Sequence, residues 1–310
     1  LTNASLTMWL HGLPGVDQVG ADARAAGLGT RSIKTTSKAW AIDTAIGMID
    51  LTTLEGADTE GKVRSLCAKA MTPDPGDPST PQVAAVCIYS DLVSVAVEAL
   101  QGSNIHVAAV TTAFPSGRAS MAVKLSDTRD ALKDGAHEID MVIDRGAFLS
   151  GRYLQVFNEI ASIRQACDAG STNGAPARLK VILETGELVT YDNVRRAAWL
   201  AMLAGASFIK TSTGKVSPAS TTPVVLIMLE AVRDWRDLTG TQVGVKAAGG
   251  IRTTKDAMKY LVMVNEIAGD DWIDPAWFRF GASGLLNDLL LQRQKLASGQ
   301  YSGADYVTID

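Results

Sequence analysis

The chain has 310 residues, 46% of them hydrophobic and 20% charged, which excludes a disordered chain and supplies apolar surface for one large domain. Its 29 basic and 33 acidic residues leave a net charge of −4, which offers neither a nucleic-acid surface nor a polybasic membrane contact. Three cysteines (Cys67, Cys87, Cys167) and three histidines (His11, His106, His137) lie far apart; this argues against a disulfide framework and a zinc site and fits a reducing, cytoplasmic setting.

Residues 1–45 read as a polar, Ala/Gly-rich N-terminal extension, with short helices expected over 16–26 and 37–46. No charged n-region is followed by an apolar h-region, so a signal peptide is not expected. No apolar run reaches membrane-spanning length. Eight short apolar runs follow, over 47–51, 84–89, 106–112, 138–143, 179–184, 207–211, 242–246 and 278–281. They are rich in Val, Ile and Leu and short enough for strands. The segments between them place apolar residues at helical spacing, as in Leu154, Phe157, Ile160 and Ile163. The Pro-rich stretch 72–81 reads as the loop between the first crossover helix and the second strand.

Eight strand-then-helix units imply a parallel sheet covered by helices. Within about 250 residues they predict an α/β fold, a closed (β/α)8 barrel over 46–295, with the N-terminal extension before it and a short tail over 296–310. A doubly wound open sheet is the alternative, but no strand is followed by a G-x-G-x-x-G turn. In such a barrel the active site lies at the C-terminal ends of the strands.

Two of those ends carry lysines inside apolar runs: Lys210 in the sixth and Lys246 in the seventh. Lysine is almost never fully buried unless paired or functional. Neighbouring strands lie about 4.8 Å apart, so two inward ammonium groups would repel, and burial would depress a pKa further. A free lysine is neutral in only about one molecule in 2,500 at pH 7, and bringing it to half-neutral takes about 4.6 kcal/mol of differential destabilisation. The product is a neutral amine able to attack a carbonyl and form a Schiff base. The plainer reading is that Lys210 and Lys246 snorkel or pair with Asp140 and Asp50.

Glycine-rich turns follow the last three strands, at Gly214 beside Lys215, at Gly249 and Gly250 beside Arg252, and at Gly281 to Gly284 around Ser283. Loops after strands seven and eight of this barrel commonly bind phosphate through backbone N–H groups, although ordinary turns use Gly too. Asp140 reads either as a general acid/base or as the counter-ion of a strand lysine. Cys87 sits mid-strand and reads first as a buried structural thiol.

These segments resemble the deoxyribose-phosphate aldolases, class I aldolases on a (β/α)8 barrel. The likeness runs from Met48-Ile49-Asp50-Leu51-Thr52-Thr53-Leu54 to Phe280-Gly281-Ala282-Ser283. It is most specific over Lys180-Val181-Ile182-Leu183-Glu184-Thr185-Gly186-Glu187-Leu188, over the residues from Phe208 to Lys215, and over Ala248-Gly249-Gly250-Ile251-Arg252. The resemblance implies Lys210 as the Schiff-base lysine, Lys246 as the partner that perturbs it, and Asp140 in a proton relay with Lys246 and a water. It implies phosphate binding by Gly214, Lys215, Gly249, Gly250, Arg252, Gly281 and Ser283, with Asp50, Cys87 and Thr211 supporting the pocket. Tyr301 and Tyr306 are the candidates for a tail tyrosine that assists proton transfer. Three positions depart from the family pattern: Ala247 replaces a usual Pro, Gly284 replaces a common second Ser and weakens phosphate contact, and Asp144-Arg145 is an unusual pair.

The expected reaction is reversible cleavage of 2-deoxy-D-ribose 5-phosphate to glyceraldehyde 3-phosphate and acetaldehyde, with no metal and no cofactor. The expected partners are therefore the sugar phosphate and acetaldehyde, with no nucleic acid and no membrane, and a homo-oligomer is compatible with the sequence. The alternatives are a related Schiff-base aldolase for another phosphorylated sugar, and a non-catalytic sugar-phosphate sensor. The sensor has no need of two strand-end lysines.

Overall fold

In the computed structural model, which describes residues 1–31, 33–170 and 175–300, all eight expected strands form and close in chain order into one parallel barrel. Three helices come first: α1 (Asn3–His11), α2 (Gln18–Gly29) and α3 (Thr35–Gly47). The barrel then runs β1 (Ile49–Thr52), α4 (Glu60–Met71), β2 (Ala85–Tyr89), α5 (Val93–Ala99), β3 (His106–Thr111) and α6 (Met121–Lys133). It continues through β4 (Glu138–Val142), α7 (Arg145–Leu149), α8 (Tyr153–Ala169), β5 (Arg178–Ile182), α9 (Tyr191–Leu203) and β6 (Phe208–Lys210). It ends with α10 (Thr222–Thr239), β7 (Gly244–Ala248), α11 (Thr254–Ile267), β8 (Phe278–Ala282) and α12 (Leu285–Ser298).

Short hydroxyl side chains start several of the crossover helices. Thr59, Ser120, Thr190 and Thr253 accept hydrogen bonds from the backbone N–H groups three residues on, which satisfies donors that have no partner inside the helix. α10 carries Pro223 in its first turn and is closed by Gly240 in the left-handed region. The strands are buried on both faces, as a parallel sheet enclosed by helices requires. One apolar core fills the space between the strands and the helical ring.

The N-terminal helices pack on the outside of that ring. α1 lies against α8 and α9, α2 against α10 and α11, and α3 against α11 and α12. Asn3 ties α1 down, donating to the Gly151 carbonyl at 2.9 Å and accepting from Leu154 N–H at 3.0 Å. α1 falls outside the two helices expected in the extension, and α3 runs to Gly47, straight into β1. No helix among the described residues is long and apolar enough to cross a membrane.

Candidate active site

Strand register brings the singled-out lysines together: Lys210 on β6 pairs directly with Lys246 on β7. Both side chains point into the barrel and are buried. Each Nζ donates to the same oxygen, Oδ2 of Asp140 on β4, at 2.8 Å. Lys246 also pairs with Asp50 on β1 at 2.6 Å. The pairing with Asp140 and Asp50, the plainer possibility in the sequence, therefore exists, and it coexists with the two-lysine arrangement.

Three further members are not singled out by the sequence reasoning. Lys180 on β5 donates to Oδ1 of Asp140 at 2.9 Å, pairs with Glu138, and reaches Asp50 at 3.5 Å. Arg279 on β8 holds Asp50 at 2.5 Å and Glu138 at 3.0 Å. All are buried. The signal that marks Lys210, a charge within an apolar strand, marks them too: Glu138 stands two residues before Asp140, hence on the same face.

The electrostatics separate the two central lysines. Burial depresses the pKa of Lys210; Asp140 opposes that, the repulsion of Lys246 reinforces it, and the result lies below the ordinary lysine value. Burial is thus the larger cause and repulsion the smaller. Lys246 faces the same burial, but Asp140 and Asp50 hold it well above the ordinary value. Burial also opposes ionisation of Asp140, yet Lys180, Lys210 and Lys246 hold it well below the carboxylate range. The arrangement provides an amine ready to be neutral, an ammonium, and a carboxylate between them. The Cys87 thiol stands 3.8 Å from Asp140, and burial pushes its pKa up. It is a protonated wall of the interior beside Ala108 and Val110.

Above these groups the barrel mouth opens into a cleft of about 1210 Å³. Lys210 lines its floor, and Gly214, Lys215, Gly249, Gly250, Arg252, Gly281, Ser283 and Gly284 all line it. Gly249 has φ +83°, and a Cβ there would stand 2.7 Å from that of Ala219, so only glycine fits this turn. Gly281 makes room for the neighbouring strand, since a Cβ there would meet Lys246 Cε at 3.0 Å and Ala248 Cβ at 2.8 Å. Gly284, the residue just before α12, lines the cleft and provides no side-chain cap for the first N–H groups of that helix. Lys215 spans the mouth to pair with Glu55 at 2.9 Å. Thr211 does not line the cleft; its hydroxyl bonds both the N–H and the carbonyl of Ala248, fastening β6 to β7 beside the lysines.

Glu184, left-handed at φ 53° just past β5, accepts from the Thr213 hydroxyl at 2.5 Å and its N–H at 3.2 Å, which shapes the turn that leads to Gly214. The unusual Asp144-Arg145 pair builds α7: Asp144 caps it at Ala147 N–H, and Arg145 pairs with Glu187. Ala247 sits inside β7 opposite Phe280. Tyr301 and Tyr306 lie outside the described residues.

The sequence model described as DeoC/LacD family aldolase matches residues 44–290. A deoxyribose-phosphate aldolase of Homo sapiens is 43% identical over 274 residues, covering 85% of this chain and 84% of that protein. The deoxyribose-phosphate aldolase of Mus musculus is 43% identical over 282 residues, covering 88% and 86%. Among solved structures, a candidate deoxyribose-phosphate aldolase from Coccidioides immitis superposes with a TM-score of 0.70 at 30% identity, covering 94% of this chain and 99% of that one.

Proposed function

Because this chain belongs to the DeoC/LacD family of aldolases, we propose that it cleaves and re-forms 2-deoxy-D-ribose 5-phosphate through an imine on Lys210. The observation that carries this reading is the shared Asp140 oxygen, with Lys210 shifted down and Lys246 shifted up on either side of it.

Neutral Lys210 attacks the C1 aldehyde of the open-chain sugar. The carbinolamine loses water and leaves a protonated imine whose positive charge stays beside Asp140. Lys246, held as an ammonium, gives the departing hydroxyl the proton it needs and is left as a neutral amine. That amine, hydrogen-bonded directly to Asp140, then takes the C3 hydroxyl proton through a water and becomes an ammonium again. The C2–C3 bond breaks, its electron pair becomes the C1–C2 double bond of an enamine while the imine π pair moves to nitrogen, and glyceraldehyde 3-phosphate departs. The enamine is then protonated at C2 and hydrolysed, releasing acetaldehyde and free Lys210. Lys215, Arg252, Ser283 and the glycine-loop N–H groups hold the phosphate at the mouth, which fixes C1 over Lys210.

Borohydride reduction in the presence of acetaldehyde, followed by peptide mass mapping, tests the reading. An ethyl adduct on Lys210, lost in Lys210→Ala, supports it. An adduct on Lys246 or Lys215 overturns the assignment of roles, and no adduct in folded protein removes the imine mechanism.

A further inference from the structure

The ion-pair network inside the barrel sets four cations against three carboxylates. Asp140 is shared by Lys180, Lys210 and Lys246, Asp50 by Lys180, Lys246 and Arg279, and Glu138 by Lys180 and Arg279. Lys180 meets three carboxylates, Lys246 and Arg279 two each, and Lys210 only Asp140. A surplus positive charge buried away from water is costly, and a guanidinium cannot shed it. The proton that leaves at least cost is the one on the cation with the fewest anions, Lys210.

We propose that Arg279 and Glu138, which lie beneath the reacting amine and touch neither it nor the cleft, are positioning residues that set the protonation of Lys210 through the network's charge balance. The proposal rests on Lys210 being the imine-forming amine. Arg279 supplies the fixed charge that the three carboxylates cannot match, and Glu138 limits the excess by absorbing part of it.

The surroundings leave that balance to these residues. Arg279 otherwise faces the Pro275 carbonyl and the ring of Phe208, 5.9 Å from its centroid. Glu138 otherwise meets His106, whose Nδ1 is 2.7 Å away and whose ring stacks on His137 at 5.4 Å. Beyond Asp140, the ionisable groups that act on Lys210 most strongly are Lys246 and the Cys87 thiol, and Lys180 holds the other oxygen of the same Asp140 carboxylate. Glu184 turns its carboxylate onto Thr213, outside the network.

The test is the pH dependence of imine trapping with acetaldehyde in the full-length enzyme and three variants. Activity that needs a neutral Lys210 falls on the acid side of its titration. Glu138→Gln adds net positive charge and moves that acid limb to lower pH by about one unit. Arg279→Met removes a positive charge and moves it to higher pH by a similar amount, while the double variant returns it toward the starting position. Opposite displacements are a signature that loss of packing does not produce. If Arg279→Met fails to fold, the near-isosteric Glu138→Gln and the charge-conserving Arg279→Lys, which leaves the limb in place, decide the matter. An unmoved limb, or displacement of both variants in the same direction, overturns the inference. Absence of any adduct on Lys210 in the parent enzyme overturns instead the reading on which it rests.

Discussion

Replacing Lys246 by Met removes both its charge and the proton it supplies, and the pH dependence of the loss tells the two apart. Both nitrogens sit 2.8 Å from one oxygen of Asp140, so they are at most about 5.6 Å apart, and at an effective dielectric near 20 two unit charges at that separation repel by about 3 kcal/mol. Removing the repulsion raises the pKa of Lys210 by about two units, and its neutral fraction at pH 7 falls about a hundredfold. Asp140 also loses one of its three cations, which makes it a stronger counter-ion for Lys210. Met fills the volume without the charge. The assay is the initial rate of borohydride-trapped imine with acetaldehyde from pH 6 to 10, which reads addition and dehydration and none of the steps after the imine. The variant is expected to be about a hundredfold slower at pH 7 and to recover roughly tenfold per unit of rising pH. A deficit of the same size at every pH, or less than about threefold at pH 7, refutes the electrostatic argument.

Lys215→Ala leaves the trapped imine with acetaldehyde intact but raises KM for the phosphorylated substrate by roughly ten- to a hundredfold, the worth of one charge-assisted hydrogen bond; steady-state kinetics with and without the phosphate checks this. Gly244→Ala drives a methyl group into the buried ring of Phe208 beneath Lys210 and is expected to cost about 1–3 kcal/mol in urea denaturation, with an unchanged midpoint as the contrary result. Burial opposes ionisation of Asp50, Glu138 and Asp140, yet their cationic partners hold all three below the usual carboxylate value. Their stabilisation is therefore complete above the unfolded-state value of about 4 and is lost as pH falls through the folded values. The melting temperature measured by calorimetry should drop on acidification below about pH 4, and a fall confined to the range between pH 7 and 5 counts against this.

The barrel is legible in the sequence because each strand is a short apolar run buried on both faces, so composition alone marks it. Lys210, Lys246 and Asp140 stand out as charges in such runs, and the β6–β7 register then sets the two lysines side by side. Lys180, Glu138 and Arg279 have the same local signature. Their meaning lies in which oxygen each one meets on another strand, from 40 residues away in the Lys180–Asp140 bond to 229 in the Arg279–Asp50 bond, and no local pattern encodes that. Lys215 meeting Glu55 across 160 residues is another tertiary fact of this kind. α1 is hidden for a different reason: it buries only Leu6 and Leu10, too little apolar periodicity to mark a helix, although Thr2 and Ser5 form its capping box.

The charges in the interior are also divided along the chain. Asp50, Glu138 and Asp140 all come from β1 and β4, whereas Lys180, Lys210, Lys246 and Arg279 come from β5, β6, β7 and β8. A first half-barrel folded by itself would enclose only the acids of this network, and a second half only its bases. Each is self-repelling alone and complementary to the other, so neither forms a stable resting point during folding. The halves are expected to lock together in one cooperative closure, and the same event that completes the barrel assembles the candidate active site.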